Sequence, residues 1–198
     1  MSLSHSSKQP ILNVAHSLTG QLLVATPHMT DERFQKKAIF ICQHDEEATM
    51  GLIINQPNSD IRLEQVVEQL DIGSPRFSLD EPIYTGGPVE GQRGYILHTS
   101  DHMMPDTVSV TDTICLSVHV DMIREISRGL GPSMYKIMLG YSGWSAGQLE
   151  EELKLNMWFH LGASPSMLFA TQSDMVWERC FSQMGMNAGS LSAQSGNA

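Results

Sequence analysis

The sequence predicts an α+β domain built on a mixed β-sheet. Runs with strand-like patterns come in groups along the chain, and amphipathic helical segments separate these groups. The strict alternation of strand and helix that marks a doubly wound parallel sheet does not occur in the sequence. The length of 198 residues suits one domain, which at this size buries roughly 70% of the surface that its unfolded chain exposes.

The strands are predicted from apolar runs and from alternation of apolar and polar side chains. Residues 38–42 are apolar at every position, so a strand buried on both faces is expected there. Residues 114–118 alternate with the period of a half-buried strand. The acidic segment 44–49 is expected to form a hairpin turn, and residues 55–58 another turn. The predicted strands are residues 22–25, 38–42, 52–54, 83–85, 95–98, 114–118, 134–139, 158–161 and 167–170.

Four helices are predicted from apolar residues that recur at helical spacing, as they do over residues 63–70. Small polar residues and glycines suggest where these helices begin and end. The predicted N-caps are Ser59 or Asp60, Asp121, Ser145 and Ser173, and the predicted terminating glycines include Gly73 and Gly185.

The third helix has the fullest local signature. Ser145 and Gln148 match a capping box, and Trp144 and Leu149 then occupy the positions of a hydrophobic staple. The glutamate four residues before Lys154 stands in the favourable order for an ion pair. The sequence therefore predicts that this helix begins at Ser145.

The chain is expected to hold one domain between two polar ends. Residues 1–17 are predicted to be a flexible extension or a short helix, because a Ser-rich start is followed by apolar residues at helical spacing. Residues 18–185 form the predicted domain. Residues 186–198 are rich in Gly, Ser, Asn and Ala and are predicted to be disordered.

The composition limits the classes of partner and the location. The sequence has 22 acidic and 12 basic residues and a net charge of −10. Nucleic acids and anionic membranes both favour clustered Lys and Arg, so neither is expected as a direct partner. The sequence has no apolar run of about 20 residues and no secretory signal pattern. A cytoplasmic location is therefore expected, and no cofactor motif is present.

The three cysteines, Cys42, Cys115 and Cys180, are expected to be buried free thiols. Their number is odd, and no Cys-x-x-Cys pair occurs. An alternative makes Cys42 a nucleophile with His44 as its base. The acidic residues after His44 oppose this alternative, because a reactive thiolate needs an electropositive setting.

Two short motifs resemble functional sites without matching them fully. The segment around Ser142 resembles a nucleophile elbow, but Trp144 stands where the final glycine is required. Gly86 and Gly87 precede a proline and predict a turn, whose backbone N–H groups could alternatively bind an anion.

One cluster has metal-ligand residue types: His98, Asp101, His102 and Asp106. The two histidines are four residues apart, which places them on one face only within a helix. The flanking Thr-Ser and Met-Met-Pro segments favour a loop instead. Solvated loop histidines are the preferred interpretation, and no metal is expected.

Several segments together resemble the YqgE/AlgH family. The most specific is Gly-Tyr-Ser-Gly-Trp at 140–144, followed by Gly-Gln-Leu-Glu at 147–150. Where the family often has Gly-Pro before that second segment, this chain has Ser145 and Ala146, which keeps a capping residue. The other matching segments, in family order, are Leu-Leu-Val-Ala-Thr-Pro at 22–27, Met-Gly-Leu-Ile-Ile-Asn at 50–55, Gly-Gly-Pro-Val at 86–89 and Arg-Gly-Tyr-Ile-Leu-His at 93–98.

The resemblance implies a more specific fold than the pattern alone. It implies a bent mixed sheet, partly closed like a barrel and flanked by three to four helices. Members of this family are commonly described as transcriptional regulators, although no biochemical activity is settled for them. The resemblance therefore provides no catalytic residues to transfer to this sequence.

Two hypotheses about function remain open. The first is a regulatory or binding protein that acts through a protein or small-molecule partner and affects transcription indirectly. The second is an enzyme with an active site around residues 140–158, with His98 as a general acid or base. Polar side chains that converge on one pocket would mark the site in either case. The candidate ligand-binding residues are Asn55, Gly86, Gly87, His98, Ser142, Trp144, Gln148, Glu152 and Asn156.

Within residues 140–158, a polar stripe on the third helix is the strongest candidate. Gln148, Glu152 and Asn156 are spaced by four and so share one helix face. The adjacent stripe contains Leu149 and Leu153, which are expected to pack inward. Glu152 and Asn156 have no evident role in capping the helix, so their expected role is ligand binding rather than folding.

Overall fold

A computed structural model describes residues 17–72 and 81–187 of the chain. The described residues form ten strands in one curled sheet, a half-barrel, with four α-helices and one π-helix around it. One pair of neighbouring strands is parallel, which makes the sheet mixed. The predicted α+β class and the bent, partly closed sheet are therefore confirmed. The predictions for residues 1–16, for Gly73 and for residues 188–198 lie outside the described residues.

The helices and strands have the following bounds. The strands are β1 Gln21–Ala25, β2 Ala38–His44, β3 Ala48–Ile53, β4 Pro57–Arg62, β5 Pro82–Thr85, β6 Val89–Thr99, β7 Val108–Ser109, β8 Ile114–Ser117, β9 Tyr135–Ser145 and β10 Trp158–Gly162. The helices are α1 Leu63–Gln69, α2 Val120–Ser127, α3 Gln148–Lys154, the π-helix Ser166–Ala170 and α4 Val176–Gln183.

Strand β9 is the centre of the sheet. The strand order is β10-β1-β2-β3-β9-β6-β8-β7, and β5 joins β4 to β9 beside this path. The last four residues of β9 pair with β3. Its earlier part pairs antiparallel with β6 and parallel with β5. These pairings bring segments 83–99 and 135–145 into direct contact.

The sheet is covered on both faces, as the apolar run in β2 predicted. Leu22 and Phe40 are opposite each other on β1 and β2 and belong to the main core, which includes residues of α4. Leu23 and Ile39, one position along, belong to a second cluster that contains Leu149 of α3. A third cluster lies beneath α1 and α2. Side chains alternate between the faces of a strand, so this arrangement buries both faces of β1 and β2.

The helices begin at residues other than the predicted N-caps. Ser59 and Asp60 lie in β4, which extends the chain to Arg62, the N-cap of α1. The N-cap of α2 is His119, whose ring accepts a hydrogen bond from the backbone N–H of Asp121. Helices α3 and α4 follow Gly147 and Met175 rather than Ser145 and Ser173. Pairing of β4 with β5 and a left-handed glycine, Gly147, override the local capping pattern.

Other segments also differ from the prediction. The predicted strand at 167–170 lies in the π-helix, because Met167 and Leu168 turn together into the main core. The turn predicted at 55–58 is shorter, since β4 already begins at Pro57. Lys154 pairs with Glu151 rather than with the glutamate at 150, which contacts His44 instead. The end of α4 agrees with the prediction, because Gly185 adopts a φ of 73° immediately after the helix.

The three cysteines are buried free thiols, as predicted. Burial raises the pKa of the Cys42 thiol far above its ordinary value and that of Cys180 to about 11. Both therefore remain protonated at neutral pH. Among the helices in the described ranges, none has the length and apolar character needed to cross a membrane.

Candidate functional site

Glu152 lies at the centre of the segment 140–158. Its Oε2 atom accepts hydrogen bonds from the indole N–H of Trp144 at 2.9 Å and of Trp158 at 2.7 Å. Its Oε1 atom accepts a third from the amide of Gln148 at 3.0 Å. The two buried indole rings meet edge to face at 6.1 Å. The expectation that Glu152 has no folding role is therefore wrong, because its carboxylate connects β9, α3 and β10.

Gln148 also has a structural role, although the predicted capping box is only half formed. Its side-chain Oε1 accepts the backbone N–H of Ser145 at 3.1 Å, as a capping box requires. The Ser145 hydroxyl donates to that same oxygen and does not accept a helix N–H. Trp144 and Leu149 lie in one buried cluster, which agrees with the predicted hydrophobic staple.

Asn156 closes helix α3. Its backbone adopts a left-handed φ of 55°, which asparagine tolerates better than most residues. The N–H groups of Asn156 and Met157 donate to the carbonyls of Leu153 and Glu152, the pattern that ends many helices. Its own carbonyl accepts the Thr26 hydroxyl at 2.7 Å. Asn156 therefore has a folding role that the sequence analysis did not expect.

Gly86, Gly87 and Ser142 form a close backbone crossing. A Cβ atom on Gly86 would lie 2.3 Å from the carbonyl oxygen of Gly140, and one on Gly87 would lie 2.2 Å from the backbone of β9. Ser142 is fully buried and donates to the Gly86 carbonyl at 3.3 Å. The Gly86 N–H donates to Leu139. This N–H is therefore not open to an anion, and Ser142 lies within a strand rather than at an exposed elbow.

Asn55 holds the loop before β2. Its Oδ1 accepts the Ala38 N–H at 2.9 Å, and its Nδ2 donates to the Lys36 carbonyl at 3.0 Å. The candidate residues thus lie in separate groups. Of four cavities compared within residues 17–72 and 81–187, one is lined by a candidate residue, Asn156.

His98 does connect to a cavity through its neighbours. It is fully buried in β6, with Nδ1 2.8 Å from the Thr99 carbonyl and Nε2 2.9 Å from the Ser117 hydroxyl. A carbonyl can only accept, so Nδ1 carries the proton and Nε2 accepts the Ser117 O–H. Burial lowers the pKa of His98, which keeps the ring neutral. The prediction of a solvated loop histidine is wrong for this residue.

Ser117 and Thr107 continue this hydrogen-bond chain to a cavity of about 320 Å³. Their hydroxyl oxygens are 2.7 Å apart, and both residues line the cavity. Because Ser117 donates to His98, Thr107 donates to Ser117. The cavity lies between the loop 104–107 and the start of α2, and it also includes Asp106 and Asp121. We name Thr107, Ser117 and His98 the hydroxyl–histidine chain.

Asp101, another member of the cluster with metal-ligand residue types, also has partners within the protein. Asp101 accepts hydrogen bonds from the Thr99 hydroxyl and from the backbone N–H of Ser133, which lower the pKa of its carboxyl to about 2. No group of three or more His, Cys, Asp or Glu side chains in the described chain is arranged to hold a metal ion. His98 itself has both ring nitrogens in hydrogen bonds to protein atoms.

The geometry also opposes the alternative of Cys42 as a nucleophile. The Nδ1 atom of His44 accepts the Leu18 N–H at 2.8 Å, and its Nε2 lies 2.8 Å from the Glu150 carboxylate. Nε2 must therefore carry the proton, and His44 has no nitrogen left to activate a thiol. The hydrogen bond from His44 is the largest cause of the lowered pKa of the Glu150 carboxyl.

Lys136 is a feature that the sequence analysis missed. It lies in β9 with 5% of its surface exposed. Its ammonium donates to the Ile54 carbonyl at 2.6 Å and lies 4.3 Å from the centre of the Tyr84 ring. It forms no ion pair with any carboxylate of the described chain, and burial lowers its pKa to about 8. A lysine within the apolar run 134–139 was the signal that could have identified it.

Comparisons with known proteins agree on one family. The sequence model of a family described as AlgH-like matches residues 22–189. A UPF0301 protein of Methylobacterium nodulans is 41% identical over 192 residues, 93% of this chain and 91% of that protein. A UPF0301 protein of Ruegeria pomeroyi is 40% identical over 91% of this chain and 99% of its own. The solution structure of the AlgH protein from Pseudomonas aeruginosa has a TM-score of 0.74 and 34% identity, with both chains fully covered.

Proposed function

The chain belongs to the AlgH-like family, and we propose that it is a binding protein that acts through a small-molecule ligand. The observation that carries this proposal is the hydroxyl–histidine chain at the wall of the 320 Å³ cavity. The polar residues around Glu152, by contrast, form their hydrogen bonds with one another and so stabilise the fold. A cavity with a few oriented polar groups is the usual form of a small-molecule site.

The direction of the hydrogen bonds indicates the class of ligand. Thr107 donates to Ser117, and Ser117 donates to His98, so both hydroxyl protons are already used. Each hydroxyl oxygen already accepts one hydrogen bond, Ser117 from Thr107 and Thr107 from the Met104 N–H, and each has one lone pair left to accept another. Asp106 adds a carboxylate to the same cavity, whereas the carboxylate of Asp121 is already paired with Arg124. We therefore propose a small neutral or cationic ligand that carries N–H or O–H donors, such as a polyol or an amine.

The regulatory part of the proposal is an indirect one. The net charge of −10 disfavours DNA, whose affinity for proteins depends on neutralising phosphates with Lys and Arg. Ligand binding would instead change the affinity of this protein for a protein partner. A cytoplasmic location is part of the proposal, because the three unpaired cysteines suit a reducing compartment.

A thermal-shift screen of polyols, amines and amino acids tests the binding site. A ligand at a hundred times its Kd stabilises the folded state by about 2.7 kcal/mol, which for this size raises Tm by roughly 5–10 °C. We expect Ser117→Ala and Thr107→Val to remove this shift. Each variant is compared with its own ligand-free Tm, since Ser117→Ala also leaves the His98 ring without a donor.

Ser142→Ala is the matched control for this screen. It removes an equally buried serine hydroxyl that bonds to a backbone carbonyl away from the cavity. It should keep the full ligand shift. Loss of the shift in Ser142→Ala, or its retention in both cavity variants, would place the ligand elsewhere and contradict the proposal.

Direct DNA binding is expected to be undetectable for this chain alone. The check is fluorescence anisotropy with duplex DNA at low salt, where phosphate contacts are strongest. The ligand found in the thermal-shift screen is added in a second titration. A sub-micromolar affinity that weakens steeply as salt rises would show that regulation is direct.

An enzyme remains the second candidate, and a specific observation favours Ser117 over residues 140–158 as its centre. The Ser117 hydroxyl donates to a histidine whose other nitrogen is held by the Thr99 carbonyl, which is the relation of a nucleophile to its base. Covalent labelling of Ser117 by a serine-directed phosphonate would favour this candidate. Reversible ligand binding without labelling favours the binding protein.

A further inference from the structure

Lys136 carries a charge that has no ion-pair partner among residues 17–72 and 81–187. It is opposite Leu97 in the register of β6 and β9, so its side chain shares a face with a residue of the main core. Its amine is fixed by the Ile54 carbonyl and the Tyr84 ring. Buried lysines are rare unless they are paired with a carboxylate. Neither contact of this amine is with an anion.

A small cavity of about 60 Å³ lies beside this lysine. Tyr84, Tyr135 and Phe169 line it together with Lys136, and Glu81 also lies on its wall. Burial raises the pKa of Tyr135, so its hydroxyl keeps its proton at neutral pH. The cavity is large enough for several water molecules or for one compact organic group. It is too small for a drug-sized ligand.

We propose that Lys136 is a carbonyl-capture site, where its amine forms an imine with a small aldehyde or ketone that enters this cavity. A desolvated lysine beside a cavity is the arrangement that imine-forming lysines use. The proposal is independent of the hydroxyl–histidine chain, which lies around a different cavity. The lowered pKa of Lys136 supports it, since only the neutral amine attacks a carbonyl.

The chemistry balances without any co-reactant. The lone pair of the neutral Lys136 amine attacks the carbonyl carbon, so a C–N bond forms while the C=O π bond breaks and its electrons go to the oxygen. The nitrogen releases one proton and the oxygen takes one up, which gives a neutral carbinolamine. The carbinolamine hydroxyl then leaves as water while the nitrogen lone pair forms the C=N bond. The two hydrogens of that water come from the amine in the net reaction. Tyr135 is a second polar residue on the wall of this cavity.

The contacts of Lys136 suit the product as well as the free amine. A protonated imine keeps one N–H group, which can remain on the Ile54 carbonyl. The face of the Tyr84 ring, 4.3 Å from the nitrogen, stabilises a cation there. The carboxylate of Glu81 on the cavity wall has the opposite charge to the iminium.

Reductive trapping of the full chain tests this inference. The protein is incubated at pH 7.5 with acetaldehyde and cyanoborohydride, and the modified lysines are mapped by peptide mass spectrometry. At this pH roughly a quarter of Lys136 is neutral, compared with about a thousandth of an ordinary lysine. The larger neutral fraction favours Lys136 by a factor of roughly 250, and restricted access to an amine that is 5% exposed reduces this advantage, so we expect Lys136 to be alkylated about tenfold faster than the exposed Lys36 and Lys154. Alkylation of Lys136 no faster than that of these two lysines overturns the proposal.

Two further arms make the result specific to the cavity. Lys136→Arg keeps a cation but cannot form an imine, and it should lose the fast adduct, whereas Lys154→Arg should keep it. Benzaldehyde is too bulky for 60 Å³ and should not modify Lys136 at a comparable rate. Equal trapping of both aldehydes at Lys136 would mean reaction in an opened chain and would contradict the assignment. The comparison of Lys136 with Lys36 and Lys154 is made on the protein of native sequence, so it tests the proposal even where a variant fails to fold.

Discussion

Replacing Glu152 by alanine is expected to lower the free energy of unfolding by about 3 kcal/mol and Tm by roughly 6–12 °C. The reason is that the indole N–H groups of Trp144 and Trp158 both lose their acceptor in one substitution. A buried donor left without a partner costs about 1–3 kcal/mol. Thermal unfolding and urea unfolding of the purified variant measure the two quantities.

Two controls separate the acceptor from the charge of Glu152. Glu152→Gln keeps one oxygen where both indoles donate, so it should cost only about 1 kcal/mol. Glu151→Ala removes the exposed neighbour, whose contact is a surface pair with Lys154, and should stay within about 0.5 kcal/mol of the native protein. If Glu152→Ala has the same free energy of unfolding as Glu151→Ala, the contacts to the two indoles contribute nothing measurable to stability.

Lys136→Met is expected to raise the free energy of unfolding by about 2–3 kcal/mol at neutral pH. Burial lowers the pKa of Lys136 to about 8 from its ordinary 10.5, and each unit of this difference corresponds to about 1.4 kcal/mol. Part of that gain is offset because methionine cannot donate to the Ile54 carbonyl. Methionine has a similar shape and suits the core.

The effect of Lys136 should depend on pH in one direction. Below pH 8 both the folded and the unfolded chain hold the lysine proton, so the full cost of burying the charge is present. Between pH 8 and 10.5 the unfolded chain binds more protons, and the native protein gains stability relative to Lys136→Met. Above 10.5 the cost is gone.

The measured quantity is the difference in unfolding free energy between native protein and Lys136→Met from pH 6.5 to 10.5. Cys180 and Tyr135 have raised pKa values and act in the opposite sense at high pH, but they are common to both proteins and cancel. Lys154→Met is the exposed control and should give a small difference. A difference that does not change with pH would show that Lys136 is not a desolvated cation.

The sequence predicted most of the sheet because its strands carry their own pattern. The run 38–42 is apolar at every position, and β2 is buried on both faces. The helix starts were less predictable, since tertiary contacts decide among several local caps. Ser59 and Asp60 are good capping residues, yet pairing of β4 with β5 holds them in a strand.

The candidate site was harder to predict, because the partners of its residues are distant in the chain. Nothing near Glu152 in sequence shows that indoles from β9 and β10 converge on one carboxylate oxygen. His98 was identified as a candidate, but its partner Ser117 comes from the next strand of the sheet. Lys136 was missed because a lysine in a strand is expected to face water.

The pairing of β1 with β10 has a consequence for synthesis on the ribosome. Gln21 pairs with Gly162, and the Trp177 indole later bonds to the Ala25 carbonyl. The hairpin of β2 and β3 can form as soon as it emerges. The ribosome needs a time on the order of ten seconds to synthesise the residues between β1 and β10. During this time the edge of β1 that pairs with β10 in the folded protein has unpaired backbone groups. A nascent chain of this protein therefore exposes a strand edge of the kind that chaperones protect from aggregation.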